Sequence, residues 1–235
     1  MTWSPPDGSY FWPLLAEYRS PEGLTIDQAE ANALRRRGFD DDAVQARMDV
    51  HRWMLSPKPQ REIEMLLGRI GKRFPASAPV TYLEFGTCYG TTFCAVMSYL
   101  EAANGIGLEI DPHRFDVTRW MVERVGSQIG FADRVTLLNT GVLEAKLEKH
   151  SVDLVLMDTN HRYPDDYDFV MRLIDGEVLR PGFLFIGDDP TQDGIDTSRR
   201  RFIDEHSARF HIETRADFNL WWFWDRDTPD TTQPS

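Results

Sequence analysis

Two groups of residues in this sequence have the types and spacing that chemistry needs. The first is acidic. Asp158-Thr159-Asn160-His161 follows one short apolar run, and Asp188-Asp189-Pro190 follows another. Three carboxylates delivered by two neighbouring strand ends repel one another unless a cation sits among them, and hard oxygen ligands select Mg²⁺ or a similar divalent ion. A neutral imidazole at His161, three residues after the first Asp, could then take a proton from a hydroxyl whose pKa the ion lowers. The second group is the turn Glu84-Phe85-Gly86-Thr87-Cys88-Tyr89-Gly90. Its two glycines, four apart, belong between a strand and a helix, where side chains would keep a ligand off the backbone. The turn lacks the third glycine of a dinucleotide fingerprint and the Gly-Lys-Ser/Thr of a phosphate loop. Further on, Gly105-Ile-Gly-Leu-Glu-Ile-Asp-Pro places Glu109 and Asp111 at another strand end. An acid there can accept both ribose hydroxyls of a nucleoside. Asp111, immediately before Pro112, reads instead as a helix N-cap, and Asp165-Asp166 read as the opening of a helix.

The elements that must position these residues alternate. Short apolar runs at Val80 to Phe85, Gly105 to Ile110, Val135 to Leu138, Val152 to Met157 and Phe183 to Ile186 are separated by helix-length segments near Thr91 to Ala103, Arg114 to Val125, Leu143 to His150 and Tyr167 to Leu179. That alternation predicts βαβ units and a parallel sheet, with all four motifs on its carboxyl edge. Two more strands, Phe210 to Thr214 and Leu220 to Trp224, make seven. The run Trp221-Trp222-Phe223-Trp224 invites a stacking role, but an unbroken apolar strand is a strand buried on both faces. Before Pro75 the chain reads as helical: Thr25 to Arg37 with Thr25 and Gln28 as a capping box and Gly38 as its stop, Asp41 to Leu55, and an amphipathic helix ending near Gly71. The expected organisation is therefore a helical extension over 1–74, an α/β core over 75–225 and a polar tail over 226–235. His51, Trp53 and Met54, just before Ser56-Pro57-Lys58-Pro59, are candidates for an acceptor pocket. Arg35-Arg36-Arg37 and Arg199-Arg200-Arg201 read as solvated faces or carboxylate partners.

Composition sets the outer bounds. In 235 residues, 41% hydrophobic, there is material for one large core. A net charge of -12 argues against nucleic acid, whose phosphates are held by clustered Lys and Arg. The two cysteines, Cys88 and Cys94, make a poor disulfide framework, so a reducing cytoplasm is expected. Neither a signal-like apolar run nor an 18-residue membrane span is present, so no membrane partner is expected.

The pattern E-x-G-x-x-x-G at Glu84 to Gly90 resembles motif I of the class I S-adenosylmethionine (SAM)-dependent methyltransferases, a likeness that extends over about Pro79 to Trp224. The resemblance implies a doubly wound, seven-stranded, mostly parallel sheet, the Rossmann-like methyltransferase fold, with an N-terminal helical extension. It implies SAM held by Glu84, Gly86, Thr87, Tyr89 and Gly90, ribose on Glu109, and adenine near Thr140, Gly141 and Val142. The acidic ends look like those of metal-dependent small-molecule O-methyltransferases of the catechol, caffeoyl-CoA and macrocin types. Carried over, Asp158, Asp188 and Asp189 become ligands of Mg²⁺, Asp158 also borders the cofactor, and His161 stands where catechol-type enzymes have a lysine. Asn160 replaces a second acid of the macrocin type, and Phe183 replaces the second Gly of the family's Pro-Gly-Gly turn. The implied acceptor is a small hydroxylated molecule of secondary metabolism, and a homodimer through the N-terminal helices is compatible with the pattern. Two alternatives stay open: a metal-independent N-, C- or carboxyl-methyltransferase, and a SAM-binding partner protein without transfer activity.

Overall fold

The computed structural model describes residues 8–54, 60–159, 164–188, 193–215 and 220–226. Four helices come first: α1 (Gly8–Glu17), α2 (Ile26–Arg36), α3 (Asp41–Met54) and α4 (Gln60–Arg73). Then β1 (Thr81–Phe85), α5 (Thr91–Tyr99), β2 (Asn104–Leu108), α6 (Pro112–Ile129), β3 (Val135–Leu138) and β4 (Val152–Met157) follow. The chain continues through α7 (Asp165–Asp175), β5 (Leu179–Asp188), α8 (Asp193–His206), β6 (Phe210–Arg215) and β7 (Leu220–Asp225). The strands form one seven-stranded sheet in the order β3-β2-β1-β4-β5-β7-β6. β1 to β5 run parallel, while β7 lies antiparallel between β5 and β6. This is the mostly parallel, Rossmann-like sheet expected from the sequence.

Local signals explain the helix ends. Thr25 accepts from the backbone N–H of Gln28, and the Gln28 side chain accepts in return from Thr25 N–H, so two otherwise orphaned donors of α2 are satisfied reciprocally. Asp111 caps α6 by accepting from His113 and Arg114 N–H ahead of Pro112 at its first turn. α1 is a helix that composition hid, since Pro13 sits within it. Its Phe11 and Leu15, with Tyr18 just beyond it, nonetheless join the core.

That core has two halves, one on each face of the sheet. On one face α1, α4, α5 and α6 pack Phe11, Leu66, Phe93, Met97 and Met121 against Tyr82, Leu154 and Leu184. On the other, α7 and α8 pack Tyr167, Leu173 and Phe202 against Leu83, Phe85, Phe185 and Trp221. α1, α4 and, through Ile26, the start of α2 therefore share a core with the sheet, while Leu34 of α2 packs with Val44 and Met48 of α3 in a separate small cluster. β7, hydrogen-bonded between β5 and β6, is buried along its whole apolar run because both faces of the sheet are covered, and Phe202, Phe210 and Phe223 pack with ring centroids within about 6 Å of one another. Each such aromatic pair adds ~0.5–1.5 kcal/mol beyond area burial.

Two elements differ from the expectation. The segment 143–150 is not a helix but a series of turns, with one helical-type bond from Ala145 N–H to Gly141 O. The residues turned inward here, buried Val142 and Ala145 and partly buried Leu147, follow one another at spacings of three and two, which an α-helix cannot turn to one side. β5 is longer than the run Phe183 to Ile186, because Pro181-Gly182 lies within it as an irregularity: Val152 pairs Leu179 and Leu154 pairs Leu184, leaving extra residues on β5.

Candidate functional site

Because β1 to β5 are parallel, their carboxyl ends share one rim, and the sequence motifs fall along it in the order β3, β2, β1, β4, β5. At the centre is the turn from Phe85 to Gly90. Gly86 (φ +76°) and Gly90 (φ +77°) both occupy the left-handed region, and Cys88 joins them there at φ +51°. Protein neighbours alone account for the two glycines. A β-carbon on Gly86 would overlap the carbonyl oxygen of Asp158 and stand 2.8 Å from its carbonyl carbon, and one on Gly90 would lie 3.2 Å from the Thr118 methyl. The turn thus keeps the ends of β1 and β4 in direct contact, supported by Asp158 N–H bonded to Phe85 O at 3.0 Å.

Most side chains of this turn point into the protein. Thr87 is buried with its hydroxyl 3.3 Å from that of Thr118, which in turn donates to Cys88 O at 2.8 Å. Tyr89 is buried, and its hydroxyl pKa is pushed well up by burial, with the charges around Cys88 and Glu30 adding to the effect. Burial pushes the Cys88 thiol up to about 12, so it stays protonated and is no nucleophile at neutral pH. Glu84 lies within β1, buried, and receives the hydroxyl proton of Tyr82 in a hydrogen bond. A ligand against this turn would therefore meet backbone.

Glu109, just past β2, is the best-defined acid of the rim. It is 6% exposed, and its two carboxylate oxygens accept from different amides: Oε2 from Cys88 N–H at 2.8 Å and Oε1 from Asp111 N–H at 2.9 Å. A carboxylate has about four acceptor positions, so roughly two remain for a ligand. Burial raises its pKa, opposed by the hydrogen bonds from Asp111 and Cys88 and by the nearby Arg114 guanidinium. Asn139, past β3, donates to the carbonyls of Glu109 (2.7 Å) and Ile110 (3.3 Å), fixing that backbone from the neighbouring strand.

Ile110 is the residue that sequence reasoning passed over. Taken as the end of a strand, it is in fact 70% exposed, an aliphatic side chain held in water beside Glu109. Its Cδ1 would be 3.5 Å from a β-carbon on Gly141, so the β2 and β3 ends approach closely there. Val142 is buried next to it. The one available signal was an isolated apolar residue between two acids, Glu109 and Asp111.

On the other side of the turn, Met157 pairs with Gly187, so Asp158 and Asp188 leave adjacent strands at the same level. Asp158 is half-buried and Asp188 is 4% exposed. Thr159, next to Asp158, donates to the fully buried Asp166 at the start of α7, so Asp166 both opens that helix and anchors the rim loop. His161 and Asp189, with Asn160, lie outside the described residues, as do the side chains of His51, Trp53 and Met54. Among the described residues, no group of three or more His, Cys, Asp or Glu side chains is arranged to hold a metal ion. The structure thus brings together Gly86, Gly90, Glu109, Gly141, Val142, Asp158 and Asp188 along one rim, while the Glu84, Thr87 and Tyr89 side chains are engaged beneath it. The arginine runs serve as carboxylate partners: Arg35 binds Asp41 at 3.1 Å, Arg37 binds Asp111 at 2.6 Å and Arg201 binds Glu205 at 2.9 Å.

Residues 83–190 match the model of a family described as a methyltransferase domain. No curated protein matches the chain. Among solved structures, the chain is similar to the Podospora anserina methyltransferase PaMTH1 bound to S-adenosylhomocysteine (SAH), at 15% identity over 93% of this chain and 95% of that one, with a TM-score of 0.53. It is also similar to a SAM-dependent methyltransferase from Aquifex aeolicus, at 14% identity over 71% and 92% (TM-score 0.52). A third is an O-methyltransferase from Bacillus cereus in complex with SAH, at 19% identity over 71% and 81% (TM-score 0.50). Among the described residues, no helix is long and apolar enough to cross a membrane.

Proposed function

Residues 83–190 match a methyltransferase domain, and from that premise we propose that this protein transfers a methyl group from SAM to an oxygen of a small hydroxylated molecule. The observation that carries the reading is Glu109: a buried acid at the end of β2, anchored to the β1–α5 turn, with acceptor positions to spare and an exposed aliphatic side chain beside it. That combination suits a ribose and one face of its base.

When bound, the cofactor supplies a methyl group activated on a sulfonium sulfur. The chain's own residues do the rest. Glu109 accepts the ribose hydroxyls, Ile110 and Val142 flank the base, and the backbone from Gly86 to Gly90 bounds the remainder. Asp158 stands between this half of the rim and Asp188, where an acceptor would be presented. Catalysis then rests on orientation and on fixed charge. The acceptor's hydroxyl proton passes to a base, for which His161 is the candidate. Net charge of -12 supports a small molecule over nucleic acid as acceptor.

Metal assistance by Asp158, Asp188 and Asp189 is the finer version of this proposal, supported by the mutual repulsion of carboxylates at adjacent strand ends. The two described donors, Asp158 and Asp188, satisfy only part of what an octahedral ion requires. A homodimer remains part of the proposal as a property of the N-terminal helices.

The decisive experiment titrates the purified protein with SAH by calorimetry and then assays methyl transfer from SAM to a panel of phenols and sugars, with and without chelator. Micromolar SAH binding and transfer abolished by chelator are expected. No SAH binding would overturn the cofactor assignment. Undiminished transfer after chelation would overturn metal assistance, and binding without transfer to any acceptor would favour a SAM-binding partner protein.

A further inference from the structure

The N-terminal extension reaches the rim through charge. Glu30, in the middle of α2, is 6% exposed and faces Arg114 in the first turn of α6, Oε1 to Nη2 at 3.4 Å. Arg37, at the C-cap of the same helix, binds Asp111 Oδ2 at 2.6 Å. Asp111 caps α6 and, through its own N–H, holds Oε1 of Glu109. α2 therefore grips both Asp111, which supports the rim acid, and Arg114, whose own N–H donates to the Asp111 carboxylate at 3.3 Å.

The pairing is costly unless it does something. Arg114 is three-quarters buried by side chain, and both its Nε and Glu30 Oε2 are buried with no hydrogen-bond partner among the described residues. A buried ion pair held by one long contact is weak evidence for stability, because desolvation of both ions offsets their attraction. Arg114 instead adds positive charge beside acids at the β2 end and on α2: Glu109, Asp111, which Arg37 also pairs, and Glu30.

We propose that Arg114, held by Glu30, is a positioning residue for the cofactor acid Glu109, supplying its counter-charge, so that α2 completes the cofactor site. The inference rests on the assignment of Glu109 to the cofactor made above. A ribose hydroxyl donates to a carboxylate and not to the protonated oxygen of a carboxylic acid, so the ionised form of Glu109 is the binding form. Burial works against that form, and Arg114 works for it. The other groups around Glu109 are Asp111, whose charge opposes ionisation and is itself paired with Arg37, and Cys88 from the turn, kept neutral by burial.

The test measures SAH affinity by calorimetry from pH 5 to pH 8, with thermal melts as a folding control. In the wild-type protein, affinity should fall toward acid pH. Arg114→Met should move that fall to higher pH, because an opposite charge near a carboxylate favours its ionised form. Arg114→Lys, which retains the charge, should restore the wild-type position. An Arg114→Met profile that coincides with wild type would overturn the proposal, as would equal displacement by Met and Lys, which would mark a packing role. Should the Met variant fail to fold, Arg37→Ala serves instead: the Arg37 side chain is half-exposed, and removing its charge should displace the profile in the same direction by less. An unmoved Arg37→Ala profile would then overturn the proposal. Absence of SAH binding in the wild type would fail the cofactor assignment itself, an outcome distinct from both.

Discussion

Replacing Gly86 with Ala tests the contact on which the whole rim depends. Two costs combine. The residue sits at φ +76°, where an L side chain costs ~1–2 kcal/mol. Its new β-carbon would also overlap the Asp158 carbonyl oxygen, which is backbone and cannot swing aside as a flexible side chain would. Relief requires the ends of β1 and β4 to separate, which breaks the 3.0 Å bond from Asp158 N–H to Phe85 O and strains the 3.0 Å bond from Gly86 N–H to Leu108 O. At ~1 kcal/mol net per hydrogen bond, the full effect should be about 2–4 kcal/mol. Gly130→Ala provides the control: φ is +96°, yet nothing lies within 4 Å of its β-carbon, so only the conformational cost of ~1–2 kcal/mol applies. Equilibrium urea denaturation of the three ligand-free proteins should give midpoints in the order wild type, Gly130→Ala, Gly86→Ala, at a common m-value. If Gly86→Ala is no less stable than Gly130→Ala, then the close approach of the two strand ends is not what demands the glycine, and a ligand-clearance role would replace it.

Other consequences can be checked independently. Glu109→Gln removes the ionised acceptor, and since a hydrogen bond to a charged group is worth ~1.5–3 kcal/mol, SAH affinity should fall roughly ten- to hundredfold in calorimetry. Its residual binding should also be flat with pH, whereas wild-type affinity declines on acidification at a pH above that of an ordinary carboxylate, because burial raises the Glu109 pKa. Thr25→Ala leaves Gln28 N–H without its acceptor and should cost ~0.5–2 kcal/mol of stability by urea titration, with SAH affinity reduced only if α2 takes part in the site. Asp111 presents the opposite sign to Glu109: burial pushes its pKa up, but the Arg37 ion pair and the amides of Arg114 and His113 carry it below its usual 3.8. Its stabilisation is therefore present above that pH and lost as pH falls through the lowered value, and Asp111→Asn should flatten this part of the acid-unfolding curve.

Much of the rim was legible in the sequence because its signals are local or depend on chain order. Strand ends mark themselves by the change from an apolar run to glycine or acid, and in a parallel sheet every such end reaches one edge. That placed Gly86, Glu109, Gly141, Asp158 and Asp188 together before any coordinates. Asp111 as a cap was legible from Pro112 and the helix after it. Ile110 was not, because exposure of a single aliphatic residue depends on where the neighbouring β3 end stops. Nor was the role of Asp166, which reads as an ordinary first-turn acid until Thr159 is found bonded to it. The turns at 143–150 misled because good helix formers there are outweighed by the sites at which Val142, Ala145 and Leu147 must be buried.

The sequence by itself determined the capping of α2 by Thr25 and Gln28, the alternation that makes βαβ units, and the glycine turn from Gly86 to Gly90 between a strand and a helix. Those are settled within a few residues of backbone, where sterics and hydrogen bonding act directly. Tertiary structure decided the strand order that buries Trp221 to Trp224 between β5 and β6. It also decided the reason for Gly86, which is the Asp158 carbonyl, and the reach of Glu30 and Arg37 to Arg114 and Asp111. Each of these depends on a neighbour distant in the chain, and only packing of the whole sheet and its helices fixes which distant neighbour that is.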